Sequence, residues 1–218
     1  MTARKQRPPA NEQFRRRQLF PVLLLGILVI TLFFGELSVA GLQSASSTTW
    51  AVTIVLPPKL VADRPATLAV LGVDGRLAEG VIVDLGSHSG IDVRVKTDKT
   101  GRAVFLAPSD AAVLIAKASG ASAAALIEPP PAPNSPQATI SLPSVVSQQD
   151  AFPICGGPFH GDVEADHVTL DGDPALVLAA SPECLVILPG PRAVPGTAKI
   201  SIQMTRAPDW TGETTLVA

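Results

Sequence analysis

The residues with the chemical repertoire for catalysis or metal binding are few. They are His88, His160 and His167, two cysteines at 155 and 184, and a run of acids at Asp162, Glu164, Asp166, Asp171 and Asp173. His160 and His167 share a segment with those acids, and carboxylates gathered around a turn are what Ca²⁺ takes. Their order is not that of an EF-hand loop, so the expectation is solvated turn acids and no bound metal. Ser87-His88-Ser89 offers a hydroxyl beside an imidazole, but a hydrolase also needs an orienting acid, and no G-x-S-x-G elbow is present. This tripeptide reads as an exposed polar turn. Gly156-Gly157 lacks the Lys-Ser/Thr that completes a phosphate loop. The expectation is a non-enzymatic protein without a cofactor.

What positions these residues begins with Leu19–Phe34, LFPVLLLGILVITLFF, which contains no charge. Before it lie Arg4, Lys5, Arg7, Arg15, Arg16 and Arg17 against one acid, Glu12. An apolar run with a basic flank enters a bilayer with that flank in the cytoplasm. Spanning needs about 20 apolar residues, and Leu37, Val39 and Ala40 extend the run past Glu36. The basic arm, 1–18, then sets topology, 19–41 spans the membrane, and the rest is exported. A cleaved signal peptide is the competing reading, with Ser38-Val39-Ala40 as the small-residue site and cleavage after Ala40.

The whole-chain net charge of −2 conceals an acidic exported part, because the basic arm precedes the membrane. That part is therefore not expected to bind nucleic acid. Aromatic residues are 4% of the chain and Tyr is absent, which argues against stacking platforms for sugars or single strands. Trp50 and Trp210 flank the exported domains and read as core or interface residues, Trp50 alternatively as a membrane-interface anchor. The pair Cys155 and Cys184 lies on the exported side, where an even count reads as a disulfide.

Gln43–Thr49 is a small polar spacer (42–49). From Trp50 to Glu128 the chain reads as short strands between turns: Trp50–Leu56, stopped by Pro57-Pro58, then Ala66–Leu71, Gly80–Leu85, Ile91–Lys96, Arg102–Leu106, Ala111–Lys117 and Ser122–Ile127. About seven such strands indicate an antiparallel sandwich. Thr97-Asp98-Lys99-Thr100-Gly101-Arg102-Ala103-Val104-Phe105 resembles the T-D-x-x-G-x-A-x-F signature of invasin-type bacterial Ig-like domains. That resemblance implies an Asp/Gly turn feeding a strand whose Phe enters the core. Pro129–Pro136 cannot form a ladder and marks a stiff linker, 129–136.

The following segment, 137–205, resembles an IPT/TIG domain, another Ig-like module. The resemblance rests on Ile140-Ser141-Leu142-Pro143, then Ile154, Gly156 and Phe159-His160-Gly161-Asp162. It continues through Val168–Gly172, Pro174-Ala175, Ser181-Pro182, Leu185–Pro189 and Val194–Ile202. It implies that Cys155 closes the second strand and Cys184 opens a later one, strands B and E, which are neighbours in one sheet. Opposed residues there stand about 4.5–5.5 Å apart at Cα, within reach of a disulfide. The tail, 206–218, holds Trp210 and a strand-like Thr214–Val217. It adds an edge strand or begins a further unit.

The sequence thus reads as an all-β protein of two tandem Ig-like sandwiches behind one N-terminal transmembrane helix, in a bacterial cell membrane with the C-terminal domains outside. Its expected role is a tethered envelope module for protein binding, adhesion or spacing. A weak binding surface is placed at Phe159, His160, Asp162, Glu164 and Asp166, since sandwiches bind through end loops and free edges. The alternatives are an accessory or scaffold subunit recruited through its transmembrane helix, and a regulatory module of a secreted enzyme.

Overall fold

Pro57-Pro58 decides how the two halves of this protein meet. The structure is a computed structural model that describes residues 51–87, 92–132, 139–205 and 207–218. Leu19–Phe34, the basic arm, Trp50, His88 and the second half of the linker lie outside the described residues. Among the described residues no helix is long and apolar enough to cross a membrane.

The first half contributes β1 (Thr53–Val55), β2 (Lys59–Val61), β3 (Pro65–Leu71), β4 (Ile82–Ser87), β5 (Asp92–Lys96), β6 (Arg102–Leu106), β7 (Val113–Ala118) and β8 (Ala121–Glu128). Strands β1, β3 and β6 form one layer; β2-β8-β7-β4-β5 form the other. Between them lie Leu60, Leu68, Val70, Val83, Phe105 and Leu114, all buried. The Ala-rich segments 111–117 and 122–127 are strands rather than helix: β7 and β8 pair in register from Val113↔Leu126 to Ala118↔Ala121.

The second half contributes β9 (Val145–Ser147), β10 (Phe152–Cys155), β11 (His167–Leu170), β12 (Asp173–Pro174), β13 (Leu176–Ala180), β14 (Cys184–Leu188), β15 (Gly196–Gln203) and β16 (Trp210–Val217). Its layers are β10-β14-β13 and β12-β11-β15-β16-β9, closed over Ile154, Phe159, Leu185, Ile187, Ile200 and Ile202. The tail is not an appendage. Strand β16 lies between β15 and β9 and sends Leu216, 2% exposed, into this core. In each half the opening segment is divided between both layers: β1 and β2 in the first, and in the second Ser141, bridged to Cys155 of β10, and then β9.

The signature segment 97–105 works through its backbone. Buried Thr97 donates from Oγ1 to Ala78 O (2.7 Å) and accepts the Val81 N–H (2.9 Å), tying down the turn before β4. Asp98 Oδ1 accepts the Thr100 N–H at 2.8 Å and its hydroxyl at 2.7 Å. The Thr100 hydroxyl, and then the Arg102 N–H at 3.2 Å, hold the Asp98 carboxyl below its usual range. Gly101 has φ 68°, and a Cβ there would stand 2.7 Å from Ala78 N. Only glycine meets both demands. The alternation then sends Ala103 and Phe105 into the core and leaves Arg102 and Val104 on the other face.

That other face explains the joint. After β1, the two prolines cannot donate to a ladder, and the chain crosses to the opposite layer as β2. The edge of β3 beyond Ala69 is left open. There β13 pairs with it, Ala180 opposite Thr67, joining the two sandwiches into one six-stranded sheet. Strand β13 carries a bulge between Val177 and Ala179. A bulge lets neighbouring side chains share a face. Val177 and Ala180 therefore reach the second core, whereas Leu178 and Ala179 join Val55, Ala69 and Val186 in a separate cluster at the joint. β3, β13 and β14 are buried on both faces, hence the unbroken apolar runs of β13 and β14 and the single polar residue, Thr67, inside β3.

Cys155 and Cys184 stand directly opposite one another in the β10–β14 pair, 4.1 Å apart at Cα, and are disulfide-bonded. The neighbouring-strand placement expected from the sequence is the observed one. The bond closes a loop of 29 residues, and such closure contributes roughly 3 kcal/mol. Replacing both cysteines by Ala is expected to lower the urea midpoint accordingly. An unchanged midpoint would mean that the bond adds nothing to stability.

Candidate functional site

The loop between β10 and β11, 156–166, carries the residues the sequence singled out, and it lies at the joint. Phe159 is buried in the second core, 4% exposed. Asp166 is 2% exposed. Its Oδ2 accepts the His160 N–H at 2.7 Å and its Oδ1 the Thr205 N–H at 3.2 Å. A buried carboxylate with both oxygens taken by backbone donors is a tie within the fold. Asp162 caps the next turn by accepting the Glu164 N–H at 3.0 Å, and the half-buried His160 accepts the Asp162 N–H at Nδ1 (3.2 Å). Glu164 is exposed, and the His167 side chain is exposed at the start of β11.

The loop touches the first sandwich through Gly161. Its carbonyl accepts the buried Thr67 hydroxyl at 2.6 Å. A Cβ at this position would stand 1.9 Å from Pro65 O, so no side chain fits. Ser181, fully buried, forms a second seam by donating to Lys59 O at 2.6 Å. Nearby, Lys59 pairs with Glu128 at 2.8 Å. Glu183 sits beside that pair. Burial and then repulsion from Glu128 raise its carboxyl above the usual range, and Lys59 only partly offsets this.

The sign of that shift gives a pH prediction. A raised folded-state value means that folding favours the protonated acid, so this contribution is complete below pH 4.5 and is lost as pH rises through the raised value. Glu183→Gln is therefore expected to raise the urea midpoint near neutral pH and to have no effect at about pH 4. Equal midpoints for the two proteins at neutral pH would contradict it.

A cavity of about 300 Å³ opens at the joint, between Arg102 of β6, the 163–166 segment, β11 and the 174–177 segment. Arg102 donates from Nη2 to Val177 O at 2.7 Å, bridging the sandwiches. Sequence reasoning did not single out Arg102. No short-range pattern marks it, and only its nearness to β13 gives it a role. The other acids lie elsewhere: Asp171 Oδ1 accepts the Lys199 N–H at 2.8 Å, and Asp173 faces Arg192 at 3.7 Å. Among the described residues no group of three His, Cys, Asp or Glu side chains is placed to hold a metal ion.

No family model and no curated protein matches this chain. Among solved structures it is similar to the SGBP-B protein of the Bacteroides ovatus mixed-linkage glucan utilization locus, solved with a mixed-linkage heptasaccharide. The identity is 14% over 76% of this chain and 43% of that one, at a TM-score of 0.27. It is also similar to murine CEACAM1b, with 14% identity, 77% and 99% coverage and a TM-score of 0.22. For domains 5–6 of the S-layer protein SbsC the figures are 11%, 77% and 96%, and 0.29. The chain spans less than half of the first of these. The assignment to Ig-like sandwiches stands on the strand order described above.

Proposed function

We propose that this protein is a non-enzymatic, membrane-tethered module of a bacterial envelope, in which two Ig-like sandwiches act as one stiff unit that spaces and presents a protein-binding surface. The apolar run Leu19–Phe34 with its basic flank supports the tether. The observation that carries the stiffness is the joint: a sheet shared through β3 and β13, with Leu178 and Ala179 buried against Val55 and Ala69. Two domains joined only by a linker sample many angles, whereas a sheet and an apolar cluster continued across the boundary hold one. The outer face of β7–β8 supports a binding role, since Val113 (38% exposed) and Leu126 (54%) lie opposite one another there.

The test is recovery of crosslinked partners from intact envelopes with the C-terminally tagged full chain. The same recovery is made with Leu19–Phe34 replaced by an unrelated apolar helix. Membrane fractionation with partners retained in both is the expected result. Partners lost on helix replacement would favour a scaffold subunit recruited through the membrane, and a soluble product lacking the first forty or so residues would remove the tether.

A further inference from the structure

Arg102 is a cation set into the joint, and among the described residues its Nε has no hydrogen-bond partner. Its side chain is only 10% exposed. A guanidinium carries five N–H donors. Here Nη2 reaches Val177 O, and Nε is buried without a hydrogen-bond partner among the described residues. Nη1 stands 3.8 Å from Glu164 Oε1, beyond hydrogen-bonding distance, and that carboxylate is itself 78% exposed. A buried charge is costly unless it is paired and hydrogen-bonded. One neutral carbonyl and one distant, hydrated carboxylate do not meet that need. The cavity of about 300 Å³ adjoins this cation, and Val163, Val168, Ala175 and Leu176 give it an aliphatic wall.

We propose that this cavity is a binding site for a carboxylate with a short branched aliphatic body, the acid group pairing with Arg102 and the body lying on that wall. A planar guanidinium matches a carboxylate through two parallel N–H···O bonds, which a neutral amide does not reproduce. The volume is at the small end of ligand sites and admits a group about the size of one aliphatic residue. Two acids border the cavity. Asp166 is already committed to the His160 and Thr205 amides. Glu164, on the exposed side, is the ligand's competitor for Arg102, and its removal strengthens binding. The site is independent of how the chain is anchored.

The test uses the full chain in detergent micelles, with arginine ¹⁵N-labelled, and three probes: N-acetyl-alanyl-leucine, its C-terminal amide, and isovalerate. The Nε–Hε signal absent from Arg102→Lys identifies Arg102. The peptide acid is expected to shift that signal and to bind at least about tenfold more tightly than the amide by calorimetry. Glu164→Gln, an exposed change that leaves the core intact, is expected to tighten the acid about threefold. A peptide acid that binds better than isovalerate identifies a protein C-terminus as the source. Isovalerate binding equally or better identifies a small acid; either upholds the site. An amide that binds as well as the acid, a Glu164→Gln chain that binds the acid more weakly, or an Arg102 signal unmoved by about 10 mM acid would overturn it.

Discussion

Leu178→Ala is expected to cost about 3–4 kcal/mol, with the loss appearing in both sandwiches at once. Leu178 is fully buried, and it belongs to the joint cluster with Val55, Ala69, Ala179 and Val186 rather than to either main core. Truncation removes the transfer energy of the side chain and leaves a cavity between strands from both halves, which neither half can collapse alone. Hydrogen exchange resolved by peptide distinguishes the outcomes. Loss of protection in β3 as well as in β13 and β14 is expected. A loss confined to the second sandwich would mean that the shared sheet does not couple the halves. Val194→Ala, at a residue 70% exposed, is the control and should change nothing measurable.

Gly161→Ala should be nearly as damaging, at about 1–3 kcal/mol, although it adds a single methyl group. The clash is with backbone: Pro65 O at 1.9 Å and Pro65 C at 2.7 Å from the added carbon. No side-chain rotation relieves such a contact, so the 156–166 loop must lift from β3 and release the Thr67 hydroxyl from Gly161 O. Thr67→Val separates the two effects. It removes the hydrogen bond without the clash and should cost about 1–2 kcal/mol. Limited proteolysis of the loop is the readout. Cleavage within 156–166 should rise more for Gly161→Ala than for Thr67→Val, and equal resistance of both to the parent chain would refute the proposed packing.

The candidate site was legible in part. Asp162 is a turn acid, its side chain accepting from the backbone two residues on, whereas Asp171 accepts from the Lys199 N–H, 28 residues away. Phe159 and Asp166 looked like binding candidates and are committed to the fold, one to the core and one to two backbone donors. A carboxylate's destination depends on which amides the fold brings to it, and Thr205 lies 39 residues away. Arg102 carried no signal, since its partner Val177 is 75 residues distant.

What the sequence determined by itself is local. The two-residue alternation of 91–96 and 102–106, the Asp98–Gly101 turn and the acid-lined turns follow from side-chain size, polarity and φ preference within a few residues. These suffice for an all-β chain of two sandwiches. The three-residue β2 was too short to show a period. The apolar run of β13 shows no alternation, because it is covered on both faces. Only the tertiary structure decided that the tail is an interior strand and that β13 docks on the edge vacated at Pro57-Pro58. It also decided that the acidic loop lies against β3. Each of these depends on contacts between residues far apart in sequence, such as Thr67 and Gly161, separated by 94 positions. A one-dimensional pattern records that a face must be buried; it does not record what buries it.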